Sequence, residues 1–192
     1  MSTKRRVSVK REREVLTYEI LLQTSYCLLK KGKEDPKGRF HQFMASLVFT
    51  VFALEAYLNH VGAIIFKCWD DLEKLAPKQK LNVIADRLGV KVEYGKRPWQ
   101  TIELFKFRSN IAHGKSIKIE DNKILSIDDY SEYQEYELLL TNWEKLCTQK
   151  NVEKAREDVK AIVKKINTAA GFKSDHPCSG GFQFVETSVI TD

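Results

Sequence analysis

Little in this chain points to a cross-link or a bound cofactor. Its four cysteines, Cys27, Cys68, Cys147 and Cys178, are far apart, and none belongs to a Cys-x-x-Cys pair. Such spacing implies neither a disulfide framework nor a cysteine-based zinc site, and reduced thiols in a cytoplasmic protein are the simplest reading. Glycine (9) and proline (4) are sparse among 192 residues, which argues against a loop-rich sandwich and against low complexity. There is no phosphate-cradling glycine-rich loop, no His-Glu-x-x-His motif and no other visible metal-ligand cluster, so neither a metal nor a cofactor is expected. The opening Met-Ser-Thr-Lys-Arg-Arg leads into no apolar h-region, so no secretory leader is expected.

What is present suits one ordinary globular domain. Hydrophobic residues make up 43% and charged residues 30% of the chain, and its formal net charge is +6, which favours anionic partners without naming one. One stretch, Phe40 to Phe66, is long and apolar enough to cross a membrane. Glu55 lies inside it with Asn59 and His60 close behind, and a charge at the bilayer centre costs roughly 2.5–3.5 kcal/mol. The expectation is therefore a central helix surrounded by protein, with no membrane partner.

Apolar spacing is helical through most of the sequence. A first helix is predicted from Arg11 to Lys31, ended by Gly32. In the second, Phe40, Met44, Leu47, Val51, Leu54, Leu58, Val61 and Ile65 form a heptad-like seam, with Phe43, Val48, Phe52, Tyr57 and Ile64 around it. A helix apolar nearly all round belongs in the middle of a bundle or at a subunit interface. A short piece near Leu72 precedes a helix opened by Pro77 and ended by Gly89. Pro98 opens another, running to His113-Gly114. Alternation at Ile117, Ile119, Leu125 and Ile127 predicts a small β-hairpin between Ser116 and Ile127. Two further helices are predicted, one carrying Tyr133, Tyr136, Leu140, Trp143 and Cys147, the other Val152 to Ile166. The division is a basic arm over 1–10, a helical domain over 11–170 and an irregular tail over 171–192, in which Phe182-Gln183-Phe184-Val185 reads either as a short strand or as part of a loose tail.

The segment with chemical content is Arg108-Ser109-Asn110-Ile111-Ala112-His113-Gly114. One reading is a plain helix end, with His113 and Lys115 favoured by the helix dipole and Gly114 placed to follow the last turn. The other is a phosphate site. Imidazole titrates near neutrality and can move protons, and guanidinium is a fixed positive fork suited to phosphate oxygens. Ser109 lies one turn before His113 and could orient it. Arg108 and His113 are about 140° apart on an ideal helix, so one chain does not easily aim both at one phosphate.

Arg-x4-His followed by Gly, ending a helix in an all-α chain, resembles the signature of the HEPN superfamily. The stretch Ala53-Leu54-Glu55-Ala56-Tyr57-Leu58-Asn59 resembles the inner helix of such domains, and the likeness covers roughly Arg11 to Ile166. The resemblance implies a HEPN-like helical bundle, here with a small β-hairpin insert. It implies a homodimer that brings two such helix ends together. It also implies a metal-independent endoribonuclease of toxin or antiphage-defence type, with Arg108 and His113 catalytic, RNA as substrate, and an antitoxin or regulatory protein as partner. Two positions differ from the family pattern: Ser109, with Asn110 one later, stands where Asn, Asp or His is usual, and Lys115 stands where some toxin members have Tyr. Inactive members serve as binding or sensing modules. The alternative is therefore a non-catalytic HEPN module that binds RNA, a nucleotide or a protein, and a third reading is a purely structural helical dimer.

Supporting residues follow from position. Glu55 and Asn59 share a face one turn apart, either as a satisfied polar pair in the core or as groups that hold Arg108 or His113. Lys115 and the arm residues Arg5 and Arg6 are candidates for the RNA backbone, the arm reading otherwise as a solvated terminus, and Tyr130, Tyr133 and Tyr136 are candidates for base stacking, although Tyr133 and Tyr136 fit better as core. His41 and His60 lack ligand partners one turn on and read as packing or surface residues.

Overall fold

The computed structural model describes residues 6–124, 126–132, 138–172 and 183–190. Strand β1 (Arg6–Arg13) precedes helix α1 (Thr17–Glu34) and the long helix α2 (Arg39–Ile65). The short α3 (Trp69–Leu72) and α4 (Pro77–Leu88) follow. A 3-10 turn over Trp99–Glu103 runs directly into α5 (Leu104–Ala112). Next come α6 (Ile127–Glu132), a 3-10 turn over Glu144–Leu146, the long α7 (Gln149–Ala170) and strand β2 (Gln183–Ile190).

Helix α2 is the axle, with α1 antiparallel beside it as its main partner and α4, α5 and α7 packed around it. Its seam behaves as the periodicity predicts: Leu47, Leu54, Leu58 and Val61 are fully buried. Each such side chain contributes about 1.5–3 kcal/mol. The core divides along this rod. Around its second half, Leu54, Tyr57, Leu58 and Val61 meet Leu81 and Ile84 of α4 and Val159, Ile162 and Ile166 of α7. Around its first half, Phe43 and Leu47 meet Leu29 of α1, Phe107 of α5, Cys147 and Val152. Phe107 thus anchors α5 to the bundle.

Small hydroxyls set the α1–α2 approach. Ser25 contacts Ser46 Oγ at 3.0 Å and Thr50 Oγ1 at 2.7 Å, and all three residues are buried. Gly32 does not end α1, which runs on to Glu34. A Cβ there would sit 2.7 Å from the Phe43 ring, so the glycine is a notch for that ring.

A small antiparallel sheet accompanies the helices, but other residues build it. β1 pairs with β2 in a two-stranded ribbon, from Arg6 opposite Ile190 to Arg13 opposite Gln183. The predicted hairpin is not there: residues 115–124 form no strand, and Ile117 and Ile124 are exposed. A lone hairpin is marginal in water without a face to pack on, and this segment has none. The start predicted for the first helix, Arg11, lies in β1, so the boundary between arm and domain falls inside a strand. In the tail, where the sequence reads as either a short strand near Phe182 to Val185 or a loose end, residues 183–190 are a strand.

The helix predicted from Tyr133 to Cys147 does not form over its described part, residues 138–147. α6 is described over Ile127–Glu132, Tyr133 and Tyr136 lie outside the described residues, and among the described residues from 138 to Cys147 a 3-10 turn over Glu144–Leu146 forms and no α-helix. Locally, Thr141 and Glu144 satisfy each other. The Glu144 carboxylate accepts from the Thr141 N–H and hydroxyl, both at 2.7 Å, and Thr141 Oγ1 accepts from the Glu144 N–H. That reciprocal arrangement starts the 3-10 turn at this point.

Candidate functional site

The Arg108–His113 segment forms the end of α5. Arg108 points back at α2. Its Nη2 donates to Glu55 Oε2 at 3.3 Å, and its guanidinium lies over the Phe52 ring, 5.4 Å from the centroid. The two side chains of the pair are 31% and 22% exposed, so the contact sits at the edge of the bundle. Arg108 Nε is buried and has no hydrogen-bond partner among the described residues. Because that Nε is buried, an incoming anion is left the exposed part of the fork, its Nη groups.

His113 caps the helix, and its N–H donates to the Ser109 carbonyl at 2.9 Å. Its side chain is exposed, as are Ser109, Asn110 and Lys115. Ser109 is tied to His113 through the backbone; among the described residues no side-chain hydrogen bond joins them. Gly114 follows, and a Cβ there would lie 2.7 Å from the Asn110 carbonyl oxygen. This glycine is needed because the chain passes close to the helix end, and it is not among those with a left-handed φ.

Of the two polar residues of α2, one joins the motif. Glu55 holds Arg108. Asn59 accepts from the buried Lys80 ammonium of α4 at 2.8 Å, and so belongs to a separate core contact. Arg5 lies outside the described residues and Arg6 begins β1, in the ribbon and not on α5. His41 is exposed beside Phe40, and His60 is half-buried against the Tyr18 ring. Burial pushes the His60 imidazole below its ordinary value, against the opposing pull of Glu14 and Glu19.

No family model, curated protein or solved structure matches the chain. The functional reading therefore rests on the residues themselves. Among the described residues no group of three or more His, Cys, Asp or Glu is placed to hold a metal ion.

Two features were not legible in the sequence. One is the uncovered side of α2. Ala45, Phe49, Phe52 and Ala56 are only half-buried, and Ala63 and Ile64 are exposed, leaving an apolar stripe with the Arg108–Glu55 pair at its margin. The seam showed a helix apolar all round, not which side the bundle leaves open. The other is a cavity of about 490 Å³ beside α5, lined by Gln100, Lys106, Asn110, Trp143, Lys154 and Asp158 among others. Its residues come from four separate stretches, so no local motif marks it.

Proposed function

We propose that this protein is a HEPN-like, metal-independent endoribonuclease of toxin or antiphage-defence type that acts in the cytoplasm as a homodimer. The observation that carries the reading is the pairing of roles on α5. Arg108 is braced by Glu55 with its side chain still 31% exposed, and His113 stands exposed at the helix end with its imidazole accessible. The chemistry is transfer of the phosphoryl bond within the RNA. A base removes the 2′-hydroxyl proton, the 2′-oxygen attacks phosphorus, and the 5′-oxygen leaves with a proton. The products are a 2′,3′-cyclic phosphate and a 5′-hydroxyl. His113 is the proton carrier and Arg108 the charge that meets the phosphorane. The angular separation of the two on one helix, together with the open apolar stripe of α2, supports a dimer in which two α5 ends face one cleft.

A second reading is favoured by one observation: Arg108 already has an anionic partner. A guanidinium spent on Glu55 fits a non-catalytic module that binds RNA, a nucleotide or a protein. One experiment separates the two. Purified protein is incubated with mixed RNA in EDTA beside Arg108→Ala and His113→Ala. Under the first reading, cleavage yields cyclic phosphate ends, resists transfer to a substrate with a 2′-deoxy sugar at the scissile position, and is lost in both variants while circular dichroism is unchanged. Products with 5′-phosphate ends, or full activity in either variant, refute it.

A further inference from the structure

Helices α1 and α7 are tied together at two levels. At one, the buried Tyr57 of α2 meets the Tyr18 ring edge-on, 5.2 Å between centroids, and its hydroxyl donates to Asn167 Oδ1 at 2.6 Å. At the other, Arg156 Nη1 donates to the Leu22 carbonyl at 2.6 Å, and its guanidinium lies 5.5 Å from the centroid of the Tyr26 ring. Along these ties the two helices enclose a trough of about 620 Å³, a size that takes a small organic ligand. No residue of α5 lines it, so it is separate from the Arg108–His113 helix end.

The two sides of the trough differ in chemistry. On α1, Tyr18, Leu22 and Tyr26 are spaced i, i+4 and i+8 and form one stripe about 12 Å long. Buried Val163 and half-buried Phe172 continue this apolar surface. On α7, Lys160, Lys164 and Asn167 are spaced i, i+4 and i+7 and present donors. Lys160 and Lys164 are exposed like charges one turn apart, and neither has an ion pair among the described residues. The Tyr57 bond holds the Asn167 oxygen toward the core. The Asn167 Nδ2 keeps accessible surface and donates to nothing among the described residues. The one anion in the lining, Glu19, is buried and accepts from the Tyr18 hydroxyl at 3.3 Å, against the three cations Arg156, Lys160 and Lys164.

This lining asks for a long apolar body with an anionic, acceptor-only head. A nucleobase fits it poorly, because its ring N–H donors need acceptors, and the Glu19 carboxylate and the Asn167 oxygen are already engaged. We infer that the trough binds a medium-chain fatty carboxylate, its head held by Asn167 Nδ2 and the Lys160 and Lys164 ammoniums and its chain laid along Tyr18, Leu22 and Tyr26. The binding does not depend on the ribonuclease reading.

The test is isothermal titration of the full-length protein with decanoate, decanol, butyrate and GMP. Decanoate is expected to bind at one site and at least about tenfold more tightly than decanol, which lacks the charge, or butyrate, which lacks the chain. Asn167→Asp keeps the acceptor for Tyr57 and turns the donor into a negative oxygen, so it should abolish the preference for decanoate over decanol. Lys160→Ala/Lys164→Ala, at exposed positions that do not threaten folding, should weaken decanoate about tenfold and leave decanol unchanged. No decanoate binding at millimolar concentration, equal affinity for decanoate and decanol, GMP bound more tightly than decanoate, or a decanoate affinity unchanged in the folded double lysine variant each overturns the inference.

Discussion

Removing the Glu55 carboxylate should loosen Arg108 by an amount the geometry bounds. The pair is separated by 3.3 Å with side chains 31% and 22% exposed, between a surface bridge and a buried one. Exposed pairs contribute about 0.2–1 kcal/mol, and breaking a buried pair costs about 3–5 kcal/mol. The intermediate setting gives a coupling of about 1–2 kcal/mol between Glu55 and Arg108. For a chain of this length that corresponds to about 2–8 °C in Tm. A double-mutant cycle over Glu55→Ala, Arg108→Ala and the double variant, read by urea unfolding, isolates the coupling from the packing of Arg108 on Phe52. Glu55→Gln keeps an acceptor oxygen without charge and should fall between wild type and Glu55→Ala. If the enzyme reading holds, Glu55→Ala should lower kcat more than it raises KM, because the guanidinium is no longer held where charge develops. A coupling within about 0.3 kcal/mol of zero would refute the claim that Glu55 braces Arg108.

Burial raises the Cys147 thiol to about 12, whereas Cys27 and Cys68 are exposed; iodoacetamide at pH 8 should modify the latter two in the native protein and Cys147 only in denaturant, as read by peptide mass spectrometry. His60 titrates in the folded state below its ordinary 6.5, so the unfolded chain binds more protons in that window and stability should fall as pH drops through and below about 6.5. His60→Gln should flatten the difference between urea midpoints at pH 7.5 and 5.5; an unchanged difference assigns the effect elsewhere. Carboxylates held low by hydrogen bonds, such as Glu153 with Lys33 and Gln149, act at still lower pH, where their contribution is lost as they protonate. Gly114→Ala forces a Cβ against the Asn110 carbonyl and should displace the His113 cap, lowering cleavage far more than it lowers Tm; equal activity would show that the close approach does not position the histidine.

Helices that bury a continuous stripe were legible because the stripe is local information: α2, α4 and α7 lie where the apolar spacing puts them, whereas the helix predicted to open at Pro98 begins as a 3-10 turn and is α-helical only from Leu104. The sheet was not, because its pairing joins the two ends of the chain. Val7 and Val9 alternate with Ser8 and Lys10, a strand signal, yet only partners some 175 residues away make it one, and the run of cations made the segment read as a loose arm. Ile117 and Ile119 carried the same signal with no partner and stayed unpaired. In the site, Glu55 was legible as a polar residue on an apolar helix, but Asn59, equally conspicuous, went to Lys80, a buried cation that composition gives no reason to expect. The unpaired Nδ2 of Asn167 could not be seen at all, since being unpaired is a property of the packed neighbourhood and not of the residue.

The terminal ribbon has a consequence for how this chain can be rebuilt. Because β1 and β2 run antiparallel with Arg6 opposite Ile190, these two residues, 184 positions apart, lie side by side, and the ribbon closes the described chain like a clasp. Its described side chains are all exposed, so the clasp holds by backbone pairing with little apolar cover. A short peptide joining Ile190 to Arg6 would turn the clasp into a hairpin and residues 6–190 into a ring. New ends could then be opened in the exposed stretch between Lys115 and Ile124, just beyond His113, without cutting any helix of the bundle.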